Sequence, residues 1–309
     1  MGILEQLEAK LGKGRVRQNI SLAPYTTFKV GGPVEFYFEA KTDEDIINAI
    51  QTASNLNIPF FVFGGVSNVV VSDKGMKGLV IKNQVMYKEI AEDRSGHVIL
   101  KVSSGYSMTR LAKETADEGW SGLEYHVGLP GTLGGALYMN SKWYINPGKN
   151  RQEVYVGDPL VRAGLVTRDG VFKSVPKSYF NFAYDYSILH ETKEIVLWAE
   201  FKLAKISPEE TKLHAQTSMD YRKQTQPMGI ASSGCYFKNV KGESVGKMID
   251  ELGLKGYSIG GAQISEKHAN FIVNTGNATS EDVKNLVTFI KKRVKEKYGI
   301  DLEEEVLTI

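Results

Sequence analysis

Two stretches of this 309-residue chain place glycines beside small polar residues. They are Gly64, Gly65, Val66, Ser67 and Asn68, and the later run Gly128-Leu129-Pro130-Gly131-Thr132-Leu133-Gly134-Gly135. Successive glycines let backbone amides converge on one point with no Cβ in the way, a concavity that binds anions without a full positive charge. Ser67 and Asn68 add side-chain donors. Alone, Gly64-Gly65 reads as a turn between two strands. The second loop changes the balance, because a proline-stiffened turn there enters small residues and Ala136 as a helix would open. Together the loops predict a cradle for the diphosphate of a dinucleotide. The first loop is followed by the apolar run Val69-Val70-Val71 instead of a helix and lacks Gly-x-Gly-x-x-Gly, which excludes the Rossmann arrangement. Gly-x-x-x-x-Gly-Lys is absent too, which excludes a P-loop.

These loops need elements to hold them. Thr42, followed by three acids, caps a helix whose apolar positions are Ile46, Ile47, Ile50 and Ala53. Strands are predicted at 59–63 and 69–71, so the first loop joins strand to strand. A strand at 98–102 and a helix at 108–118, stopped by Gly119, begin a second α+β stretch. Within it, Arg168-Asp169-Gly170 predicts a hairpin between strands 160–167 and 171–175. After a strand at 195–203, Ser207-Pro208-Glu209-Glu210 opens a helix reaching about Gln224, and a domain boundary is placed near Lys205. The remainder predicts a strand around Tyr236, a helix at 245–252 stopped by Gly253, a strand at 270–274, and a long final helix. That helix is capped by Thr279 with Asp282 and striped by Val283, Leu286, Val287, Ile290 and Val294.

Composition narrows the partners. A net charge of +2 gives no broad field for nucleic acid or an anionic membrane surface. The single cysteine, Cys235, has no disulfide or thiolate-zinc partner, and no histidine and acid cluster has ligand spacing, so neither a disulfide nor a metal is expected. With a lone cysteine that fits a reducing compartment and no signal-like or membrane-spanning apolar run, a cytoplasmic location is expected; a monomer is the expected state.

The residues also match a known family in order along nearly the whole chain. Thr27-Phe28-Lys29-Val30-Gly31-Gly32-Pro33, the first loop with Asp73 and Gly75, Gly122-Leu123-Glu124, and the second loop with Met139-Asn140 come first. Ser233-Gly234-Cys235-Tyr236-Phe237-Lys238-Asn239, Gly253-Leu254-Lys255-Gly256, Gly260-Gly261-Ala262, Ser265-Glu266-Lys267-His268-Ala269-Asn270-Phe271 and the acidic Leu302-Glu303-Glu304-Glu305-Val306 come after them. This pattern resembles the UDP-N-acetylenolpyruvoylglucosamine reductases, also called UDP-N-acetylmuramate dehydrogenases, in their shorter subtype. The resemblance implies an α+β fold: a two-part FAD-binding region of the vanillyl-alcohol-oxidase type (1–85 and 86–205), then a smaller substrate-binding domain (206–309). It also implies non-covalent FAD, held by Gly64, Gly65, Val66, Ser67, Asn68, Gly128, Pro130, Gly131, Thr132, Gly134, Gly135 and Asn140.

The implied reaction has two halves: NADPH reduces FAD, and the flavin N5 hydride then passes to the enolpyruvyl group of a UDP-sugar. Hydride arrival puts negative charge next to the substrate carboxylate, so the site needs polar groups there and a proton donor. Similar enzymes use an arginine, a serine and a glutamate. The serine position holds Cys235, whose thiol, with an ordinary pKa of about 8.5, can still donate a proton. Glu305 takes the glutamate place. The arginine place holds Asp185, between Tyr184 and Ser187, which would repel the substrate's charge unless protonated or turned away. This leaves two hypotheses: another cation, from among Lys142, Arg162 and Lys238, takes over, or the activity is lost or changed. Tyr184, Lys238, Asn239 and His268 fall at substrate contacts, and Leu307 stands where the family has a further arginine. The competing expectations are another flavin oxidoreductase of the same fold and a catalytically silent FAD or UDP-sugar binder.

Overall fold

Apolar residues at helical and strand spacing collect into three buried clusters, and the chain folds into two compact units. The computed structural model describes residues 2–148, 151–240 and 243–309. The first unit comprises 1–18, 36–65 and 78–221; the second comprises 19–35, 66–77 and 222–309.

In the first unit, one cluster joins Leu7, Phe38, Ile46, Ile50, Leu79 and Ile81. Helix Asp43–Asn55 supplies Ile46 and Ile50, and Thr42 caps it by accepting from the Asp45 N–H at 3.1 Å. The strand order there is Val16–Ser21, Pro33–Ala40, Met76–Asn83 and Phe60–Phe63, the last pair parallel. The other cluster lies on an antiparallel sheet of Phe172–Pro176, Leu160–Val166, Ile195–Lys205, His97–Ser103 and Lys88–Asp93. Its expected hairpin closes with the Thr167 N–H donating to the Val171 carbonyl at 3.0 Å, while Gly170 takes φ +84°.

The second unit is built on an antiparallel sheet, Ser232–Cys235, Phe271–Asn274, Ala262–Ile264 and Ser258–Ile259. Helix Ser280–Tyr298 covers it, burying the stripe Val283, Leu286, Val287, Ile290 and Val294 behind the Thr279–Asp282 capping box. No helix among the described residues is long and apolar enough to cross a membrane.

The division between the units differs from boundaries at 85 and 205. Most of helix Pro208–Thr225 belongs with the first unit, because Thr211 donates to the Ala116 carbonyl at 2.6 Å and His214 lies 3.3 Å from buried Glu124. Residues 19–35 and 66–77 belong with the C-terminal segment. There Thr27 donates to the Ser232 carbonyl at 2.8 Å, Asn274 to the Phe28 carbonyl at 3.0 Å, and Asp73 accepts from the Ser280 N–H at 2.7 Å. The strand expected after the first loop is present as Val69–Val70, which pairs in parallel with Leu307–Thr308. Phe60–Phe63 has Met76–Asn83 as its neighbour.

Ile290 is fully buried. Ile290→Ala is expected to lower stability by about 2–5 kcal/mol through the cavity it opens, read as an earlier urea midpoint with an unchanged slope.

Candidate active site

The two glycine loops meet backbone to backbone. A Cβ on Gly65 would lie 2.3 Å from the Gly131 Cα, and one on Gly64 would lie 2.1 Å from the Thr132 Oγ1. At Gly65 the obstacle is backbone, so glycine is a steric requirement of the approach, whereas at Gly64 the Thr132 side chain would have to move. The second loop is fastened from behind: Met108 N–H donates to the Gly131 carbonyl at 3.1 Å, Thr109 to the Leu129 carbonyl at 2.8 Å, and Gly134 N–H to the Ser104 carbonyl at 2.8 Å. Gly128 and Gly131 take φ +80° and +102°. The result is a cradle that added Cβ atoms would fill, which is the shape a close-lying diphosphate requires.

Val66 continues the first loop with φ +48°, a strained conformation for a β-branched residue. Its carbonyl is held by the Thr27 N–H at 3.2 Å. Asn68 directs its amide to the Glu305 carbonyl at 3.1 Å, and its own carbonyl accepts from the Leu307 N–H at 3.0 Å. One Asn68 donor is therefore committed to the C-terminal segment.

That segment reaches Cys235. The Glu305 N–H donates to the Tyr236 carbonyl at 2.9 Å, the Lys238 N–H to the Glu303 carbonyl at 2.9 Å, and Phe237 bridges Glu304 antiparallel. This register sets Glu305 opposite Tyr236, one residue along from Cys235. Cys235 ends the strand Ser232–Cys235 after a bulge at Gly234, where φ is +85°. Arg222, only 3% exposed, lies near enough for its charge to interact with Cys235; burial pulls its pKa down to about 9, and Cys235 acts in the opposite direction. It remains a cation at neutral pH.

Asp185 is buried in the first unit at φ +49°, in a tight turn where Ala183 and Tyr186 exchange backbone hydrogen bonds of 3.1 and 3.3 Å. The Asn140 side chain braces this turn, donating to the Ala183 carbonyl at 3.1 Å and accepting from the Gly157 N–H at 3.2 Å. Lys142 lies 4.2 Å from the Tyr184 ring centroid and pairs with Glu153 at 2.8 Å. Tyr155 donates to Glu153 at 2.6 Å, and its pKa is raised by burial, by that bond and in part by the charge of Asp185. Of the two candidate cations in the first unit, Lys142 and Arg162, Lys142 is the one that shares this neighbourhood. Arg162 makes a bidentate pair with Glu200 at 2.7 and 2.8 Å, and Lys238 pairs with Glu303.

Asn239 accepts from the Val245 N–H at 3.2 Å. His268 accepts on Nδ1 from the Asn270 N–H at 3.2 Å, which puts the neutral ring's proton on Nε2. Burial, aided by Lys255, holds its pKa below the ordinary 6.5.

Two family models match the chain: an FAD binding domain over residues 34–174 and a UDP-N-acetylenolpyruvoylglucosamine reductase C-terminal domain over residues 226–309. Among relatives, the UDP-N-acetylenolpyruvoylglucosamine reductase of Chlamydia pneumoniae is 38% identical over 297 residues, spanning 95% of this chain and 92% of that one. The chain belongs to the UDP-N-acetylenolpyruvoylglucosamine reductase family. The reductase of Bacillus pumilus is 36% identical, over 98% of this chain and 96% of its own. The crystal structure of the Thermus caldophilus reductase superposes with a TM-score of 0.78 at 32% identity, covering 95% and 98% of the two chains. This member of the family is thus an FAD-dependent oxidoreductase with the expected α+β fold.

Arg222, the buried cation near Cys235, is not singled out by the sequence. It sits among Asp220, Lys223 and Gln224 in a helix with no clear apolar stripe, so only the packing distinguishes it from a solvated charge. Leu307 is 38% exposed on the short strand Leu307–Thr308 and places no cation there.

Gly65→Ala is expected to drive the loops apart and abolish FAD retention. Gly135→Ala, whose Cβ would meet nothing nearer than 3.9 Å, should fold as wild type, which absorbance of the purified proteins and their melting curves would check. His268, with its folded pKa depressed, favours the folded state above pH 6.5 and costs stability as pH falls below that value. His268→Gln should flatten this acidic decline in urea titrations.

Proposed function

We propose that this chain reduces the enolpyruvyl group of UDP-N-acetylglucosamine enolpyruvate to UDP-N-acetylmuramate, a peptidoglycan precursor, using NADPH. The observation that supports it best is the backbone pairing that brings Glu305 beside Cys235 within the family's C-terminal domain. Gly64, Gly65 and the loop from Gly128 to Gly135 would hold FAD, which would supply a hydride drawn from NADPH.

Negative charge then develops on the carbon next to the substrate carboxylate, and the chain must deliver one proton there. Cys235 is assigned as that donor. The thiolate left behind is stabilised by the buried Arg222 cation, and Glu305, one step along the pairing, returns the proton between turnovers. Lys142 is assigned the carboxylate-binding charge, since it stands over Tyr184 beside the turn that carries Asp185. An ammonium has three donors, so its pairing with Glu153 leaves capacity for a substrate anion. Tyr184, Lys238, Asn239 and His268 are assigned to the UDP-sugar, residues 1–205 to FAD and the remainder to substrate. Nucleotide substrates and a single cysteine fit a cytoplasmic, monomeric enzyme.

Asp185 and Leu307 favour one rival, a silent FAD or UDP-sugar binder. A yellow preparation bleached by NADPH and recoloured by the enolpyruvyl substrate supports the reductase; bleaching without recolouring points to another oxidoreductase, and no bleaching to the silent binder. Cys235→Ala should leave bleaching intact while slowing recolouring by about 10²–10⁴-fold, with Cys235→Ser retaining more activity, as stopped-flow absorbance would show. Lys142→Met should weaken substrate binding. Asp185→Arg should bring no gain if Lys142 already carries the charge, and a large gain would refute that assignment.

A further inference from the structure

Beneath the first glycine loop lies a lysine that the reaction does not use. Lys82 is on strand Met76–Asn83, in register with Phe63 of the parallel strand Phe60–Phe63, so its side chain reaches one residue beyond that partner. There its ammonium donates to the Gly64 carbonyl. No carboxylate among the described residues pairs with it, and Glu39, already paired with Arg17 at 2.7 Å, acts on it only through space. Burial pushes the Lys82 pKa below its ordinary 10.5. A desolvated ammonium bonded only to a neutral carbonyl is costly to maintain unless an anion comes near.

The Gly64 carbonyl and the Gly65 N–H belong to one planar trans peptide and point in opposite directions. A cation that fixes the carbonyl therefore fixes the N–H as well, and polarises it. Gly64 and Gly65 are the residues whose missing Cβ atoms allow the second loop to approach. We propose that Lys82 is a positioning residue for the cofactor diphosphate: it holds the Gly64–Gly65 peptide with its N–H turned to the anion side of the cradle and adds positive charge behind it. The proposal rests on the reading of these loops as the FAD site. Lys82 acts through the peptide, and no direct contact with the cofactor is required.

The test measures FAD dissociation constants by flavin fluorescence on wild-type and Lys82→Met apoprotein, with ³¹P NMR of the diphosphate and the flavin absorption spectrum recorded on the FAD-saturated proteins. Lys82→Met is expected to weaken FAD binding at least about tenfold, the usual range for losing a charged hydrogen bond, and to shift the diphosphate resonances while the flavin spectrum stays unchanged. Lys82→Gln, which keeps a neutral donor, should fall between the two and serves if Lys82→Met does not fold. Unaltered affinity and resonances in the variants would overturn the proposal while leaving the FAD site standing. A flavin spectrum that changes in step with the phosphorus signals would also overturn it, because the effect would then be general disruption. Failure of the wild type itself to bind FAD would instead bring down the reading on which the proposal rests.

Discussion

The constraint on which the cofactor site rests is the approach of two backbones, with the Gly65 Cβ position 2.3 Å from the Gly131 Cα. Everything proposed for the cofactor depends on that approach. Strands Phe60–Phe63 and Met76–Asn83 deliver one side of it, and the start of helix Met108–Asp117 holds the other through the carbonyls of Leu129 and Gly131. The cradle is made of amides rather than side chains, so its chemistry is insensitive to most substitutions nearby and intolerant of one at Gly65, where backbone blocks a Cβ.

In the second unit the comparable work falls to side-chain amides that imitate strand pairing. Asn270 donates to the Phe237 carbonyl at 2.8 Å and accepts from the Phe237 N–H at 3.0 Å. Asn274 ties the Phe28 carbonyl to the N–H groups of Gly276 and Ala278, and Asn68 ties the first loop to Glu305. Buried amides satisfied on both ends specify one arrangement, because breaking any of these bonds strands a polar group out of water. Cys235 and Glu305 owe their common neighbourhood to this network.

Charge is distributed differently in the two units. Asp185 lies buried in a tight turn of the first unit. Lys142, Glu153 and Tyr155 form a connected set next to the turn, while Arg222 brings a buried cation to Cys235 in the other unit.

The sequence by itself determined the features that local spacing controls. The helix stripe from Val283 to Val294, the caps at Thr42 and Thr279, the Asp-Gly hairpin and both glycine loops are set by periodicity and by backbone preferences that act within a few residues. The ordered motifs determined the family. Tertiary structure decided the pairings between distant segments: Val69–Val70 with Leu307–Thr308, residues 19–35 with the C-terminal part, Lys82 with Gly64, and Arg222 with Cys235. Strand Lys88–Asp93, charged and mostly exposed, could not be seen beforehand because an edge strand needs no apolar alternation. Periodicity records which face of an element is buried, but not which distant residue buries it; that choice is made only when the whole chain packs.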